Sequence, residues 1–104
     1  MQPKYSCYIL YNALYFLYMS QRDKLLERLL TRPKDFTYSD LKTLLKHLGY
    51  KEAKTGKTSG SRVAFINNDT AHIIRLHKPH PGNELKRYQI DYLIEELTKM
   101  EIIR

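Results

Sequence analysis

Between Thr37 and Met100 the spacing of apolar residues changes twice, and this double change limits the folds open to the chain. In "TYSDLKTLLKHLG" Leu41, Leu44, Leu45 and Leu48 recur at three- and four-residue intervals, which makes one stripe of a helix. Thr37 is a good N-cap, Asp40 three residues on supplies the acid of a capping box, and Gly49 suits the stop. The polar, glycine-punctuated "KEAKTGKTSGS" follows as a loop. "RVAFIN" and "AHIIRLH" then read as two strands turning at Asn67-Asn68-Asp69, and a third short strand around residues 50–54 can join them. Past Pro81-Gly82 the helical period returns in "ELKRYQIDYLIEELTKM", with Ile90, Leu93, Ile94 and Leu97 as the buried stripe. Glu95 and Lys99 can pair on its surface.

Ahead of this core, "RDKLLERLLT" places Leu25, Leu26, Leu29 and Leu30 on one helical stripe, and Pro33 ends it. The expected class is therefore α+β: helix, two or three antiparallel strands, helix, with an additional N-terminal helix in front. Two helices covering one face of a small sheet is an economical solution, and it leaves the other face for a ligand. His72, Ile74 and Leu76 share one face of the second strand, while Ile73, Arg75 and His77 share the other. Both faces carry apolar groups, so periodicity alone does not say which is buried. His47 lies off the leucine stripe and is expected in solvent.

A chain of 104 residues fits one small domain. Residues 1–18 are a tyrosine-rich extension, residues 19–33 the N-terminal helix, and residues 34–104 the functional domain. From Tyr5 to Gln21 there is no charge, yet the stretch falls short of the roughly 20 predominantly apolar residues a span needs. Its many tyrosine hydroxyls also want partners. The alternatives are an interfacial anchor, a weak signal peptide, or an extension ahead of a start at Met19. The last is expected, and with it no stable membrane association.

The net charge of +7 favours a polyanionic partner or an acidic protein. The single cysteine, Cys7, excludes an internal disulfide and a cysteine-rich zinc site and suits a reducing, cytoplasmic setting. "KTGKTSGS" lacks the first glycine of a P-loop, five positions before Gly56, so no nucleotide fingerprint is present. Neither a metal nor a cofactor is expected.

Three pieces of the chain, read in order, resemble the HicA family of bacterial toxins. They are "KHLGY" closing the first core helix, "SGSRVAF" leading into a strand, and "HKPHPGNELKRYQIDYLIEEL". The likeness covers residues 36–103. It implies a double-stranded-RNA-binding-like fold, endoribonuclease activity on mRNA, growth arrest, and a HicB-type antitoxin that covers the active face. It also implies a catalytic histidine directly after the Gly-Ser pair, and here that position is Arg62. A guanidinium stays protonated near neutral pH and cannot serve as a general base. Either the chemistry rests on another side chain, or the protein is a non-catalytic RNA-binding module.

Metal-independent RNA cleavage needs a base for the 2′-hydroxyl proton, an acid for the leaving 5′-oxygen, and cations where charge develops on phosphate. Histidine suits both proton roles and arginine the third. The region from Gly60 to His80 contains all these parts. Arg62 is assigned to the phosphate, with Ser61 or a nearby backbone amide orienting it, and His77 or His80 to proton transfer. Lys54, Lys57, Arg75, Lys78, Lys86 and Arg87 are the expected phosphate contacts, which supply affinity and register more than sequence discrimination. Tyr88 either stacks on a base or packs at the helix start. His72 is expected to have a structural role beside the hairpin turn.

Overall fold

The computed structural model describes residues 20–53 and 61–103. Helix α1 (Gln21–Leu30) and helix α2 (Tyr38–His47) lead into strand β1 (Tyr50–Ala53). Strands β2 (Arg62–Asn67) and β3 (Ile73–His77) follow, and helix α3 (Arg87–Lys99) closes the order. The sheet runs β1-β2-β3 and is antiparallel throughout. This is the α+β arrangement that the spacing of apolar residues implies, third strand included.

Local signals account for most element ends. The Thr37 hydroxyl accepts from the Asp40 N–H at 3.0 Å, and the Asp40 carboxylate accepts from the Thr37 N–H at 3.1 Å, which completes the capping box. Gly49 ends α2 at φ +94°, a conformation that a side chain would strain. Helix α3 begins later than the periodic pattern suggests. Leu85 donates to the Phe36 carbonyl at 2.8 Å and Glu84 bridges Thr37, so these residues pair with the segment ahead of α2 and cannot join the helix.

The register decides which sheet face is buried. Val63, Phe65, Ile74 and Leu76 share one face and pack with Leu41, Leu44 and Leu45 of α2 and with Ile90, Leu93 and Leu97 of α3. Leu29 of α1 is fully buried in the same core. Ion pairs fasten α1 and the residues just after it from outside: Arg28 to Asp40 at 2.9 Å and to Asp35 at 3.1 Å, and Arg32 to Asp91 at 2.9 Å. Among the described residues no helix is long and apolar enough to cross a membrane. The tyrosine-rich stretch and the expected phosphate contacts Lys54 and Lys57 lie outside the described residues.

Asp40 serves two partners at once. Burial pushes its carboxyl up, but the Thr37 N–H and the Arg28 guanidinium outweigh that and hold it below its ordinary value. The folded chain therefore binds this proton less readily than the unfolded chain. The stabilisation is complete above the unfolded pKa of 3.8 and is lost as pH falls through the lower, folded value. Urea titrations should show Asp40→Asn less stable than the wild type at neutral pH, with the gap shrinking below that point. Thr37→Ala should cost about 1 kcal/mol.

Candidate functional site

The face opposite the core presents Arg62, Ala64 and Ile66 from β2, Ile73, Arg75 and His77 from β3, and Lys51 from β1. Arg62, Arg75, His77 and Lys51 are exposed. Arg62 and His77 are register partners. The Lys78 N–H donates to the Ser61 carbonyl at 2.7 Å just beyond them. That bond makes Arg62 and His77 a non-hydrogen-bonded pair, the class in which antiparallel side chains approach most closely. The sheet thus sets a guanidinium and an imidazole side by side at its exposed surface.

Neighbouring groups fix His77. Its Nδ1 lies 3.3 Å from the Ser61 hydroxyl, and its backbone carbonyl accepts from Gln89 Nε2 at 2.7 Å. Gln89 is buried, and its Oε1 also accepts from the Lys86 N–H at 2.9 Å. One α3 side chain therefore ties the end of β3 to the start of the helix. One turn on, the Tyr92 hydroxyl accepts from the Arg75 N–H at 3.2 Å. Gln89 and Tyr92 together occupy outward backbone groups of β3 and protect that sheet edge. Neither residue stands out as a site residue in the sequence. The signal was a glutamine four residues ahead of Leu93, a polar residue in an otherwise apolar stripe.

The other expected site residues are spread more widely. His80 is exposed in the loop between β3 and α3. Lys78 stands on the helix side of the sheet, with its ammonium 5.7 Å from the centre of the Tyr38 ring, so it does not join the Arg62–His77 face. Lys42 approaches the same ring at 5.8 Å. Lys86 and Arg87 are exposed at the start of α3, where Arg87 pairs with Asp91 at 3.5 Å. Arg75 and His77 are the basic residues of β3 that the fold places on the same face as Arg62.

His72 has the structural surroundings expected of it. Its Nδ1 lies 2.7 Å from the Tyr50 hydroxyl and its Nε2 3.1 Å from Glu96, whose other oxygen accepts from Lys99 at 2.9 Å. Lys99 holds the Glu96 carboxyl below its ordinary value, with His72 adding to the effect and burial opposing it. Both ring nitrogens are engaged between β1 and α3. His47 is exposed, 3.3 Å from the Gln21 side chain.

Among known proteins, a family model described as HicA toxin of bacterial toxin-antitoxin matches residues 38–97. No curated protein and no solved structure matches the chain.

Proposed function

Because the chain belongs to the HicA family of toxins of bacterial toxin-antitoxin systems, we propose that it arrests growth by cleaving mRNA, and that a HicB-type antitoxin binds the exposed sheet face and neutralises it. The carrying observation is the side-by-side placement of Arg62 and His77 on that face. The proposed site of action is the cytoplasm, where both partners are met.

In the proposed reaction Arg62 holds the scissile phosphate with its planar fork and offsets the charge that develops there. His77 takes the 2′-hydroxyl proton through Nε2. For that, Nδ1 must carry the other proton and donate it to the Ser61 oxygen, 3.3 Å away. The 2′-oxygen then attacks phosphorus, the bond to the 5′-oxygen breaks, and His80 is the candidate donor to that leaving oxygen. This scheme moves protons with imidazoles and charge with guanidinium, so it calls for no metal. Arg75, Lys86 and Arg87 contribute backbone affinity from β3 and the start of α3.

The second reading is an RNA-binding module without catalysis. It is favoured by one feature, the arginine at the position where the family resemblance implies a histidine. Expression in a bacterial host separates the readings. A catalytic toxin stops growth and leaves fragmented mRNA, and coexpression of the antitoxin gene restores growth. Arrest with intact mRNA would support the binding module instead.

A further inference from the structure

Tyr88 does not pack at the helix start. The residue is 66% exposed, and Leu30 is the one other large apolar residue exposed among the described residues. Tyr88 and Tyr92 sit four residues apart on α3 and so share one helix face. With Gln89 they form one wall of a hollow of about 290 Å³, and Arg75, Leu76 and His77 of β3 form the other. That volume falls just below the range of ligand pockets, which run from about 300 to 1,000 Å³. Tyr92 is a fixed wall, because the Arg75 N–H holds its hydroxyl. Among the described residues no hydrogen bond of that kind holds Tyr88, and its exposed ring stands beside Arg75 and His77.

We propose that this hollow is a nucleobase subsite, in which an unpaired base of the bound RNA stacks on Tyr88 while Arg75 and Arg62 hold the adjoining phosphates. The proposal rests on the RNA reading above and narrows it to single-stranded substrate. Bases can stack on tyrosine and arginine planes only when they are splayed out of a helix, whereas a duplex offers backbone and 2′-hydroxyls. The cations around the hollow fit a phosphate chain running past it. The shared lining with His77 puts the stacked base next to the sugar whose 2′-hydroxyl gives up its proton and attacks. Tyr88 is thus a positioning residue that sets which nucleotide is presented.

The test uses the full chain and a 2′-fluoro oligonucleotide, which lacks the attacking hydroxyl and survives binding. Its fluorescent base is 2-aminopurine, which stacking quenches. At low salt the wild type and Tyr88→Phe should bind and quench. Tyr88→Ala and Tyr88→Leu should lose the quench and about ten- to a hundredfold in affinity. Their slope of log affinity against log salt should stay unchanged, because no charge is removed, whereas Arg75→Ala should reduce it by about one contact. Annealing a complementary strand should weaken wild-type binding. Alanine and leucine variants that bind and quench like the wild type would overturn the subsite while leaving the RNA reading intact. So would variants whose only loss is affinity for the antitoxin, which would make the hollow a protein-docking surface. A wild type that ignores the oligonucleotide would overturn both.

Discussion

Replacing His77 with alanine is expected to slow RNA cleavage by about a hundred- to ten-thousandfold, the usual worth of a positioned acid or base. Growth arrest should be relieved in step. The reason lies in what surrounds the ring. His77 is exposed on the sheet face opposite the core, so its loss leaves no cavity. Its backbone carbonyl, which Gln89 holds, stays in place when the side chain goes. The variant should therefore melt like the wild type, and the lost activity cannot be assigned to unfolding. Removing His80 should have a smaller effect, because a leaving oxygen can take its proton from water. Equal activity of His77→Ala and wild type, in folded protein, would remove the imidazole from the mechanism.

Arg62 carries the second large effect. Arg62→Ala should lower the cleavage rate by about a hundred- to a thousandfold, the cost of losing one donor that meets developing charge. Arg62→Lys should recover part of this, because an ammonium supplies charge without the bidentate fork. Arg62→His distinguishes the two functional readings. If the site is organised around a guanidinium beside His77, a second imidazole there replaces the phosphate anchor and activity falls. If the chain is a degenerate enzyme, the same change should raise activity sharply. Single-turnover rates on one defined RNA, across the three variants, decide between these outcomes.

Much of the architecture was legible because its causes are local. Thr37 and Asp40 announce the start of α2 through bonds within one turn, and Gly49 announces its end. Leu41, Leu44 and Leu45, like Leu93 and Leu97, are buried where their spacing puts them. What stayed hidden depends on partners far along the chain. Ile73 and Ile74 are equally apolar, and only the packing of α2 and α3 against Phe65 and Leu76 turns Ile74 inward. Glu84 and Leu85 have helical neighbours, yet pairing with Phe36 and Thr37 holds them out of α3.

The same division applies to the candidate site. Strand alternation placed Arg75 and His77 on one face from sequence alone, but their burial was not legible. Lys78 reads as one more cation of a basic run, and alternation sends it to the Tyr38 side. Ser61 reads in the sequence as a group to orient Arg62, and in the fold its hydroxyl lies by His77. Gln89 and Tyr92, which cap the outer edge of β3, act across 12 and 17 residues and leave only a faint trace in the helical stripe.

The chemistry of the cut ends bears most directly on whether Arg62 and His77 act on a ribose-phosphate chain. Purified full-length chain should be incubated with a labelled oligoribonucleotide and the ends identified by mass spectrometry. Attack by the 2′-oxygen requires a 2′,3′-cyclic phosphate on one fragment and a 5′-hydroxyl on the other, both absent with His77→Ala. Fragments bearing a 5′-phosphate, or RNA left whole by a chain that still arrests growth, would contradict that chemistry.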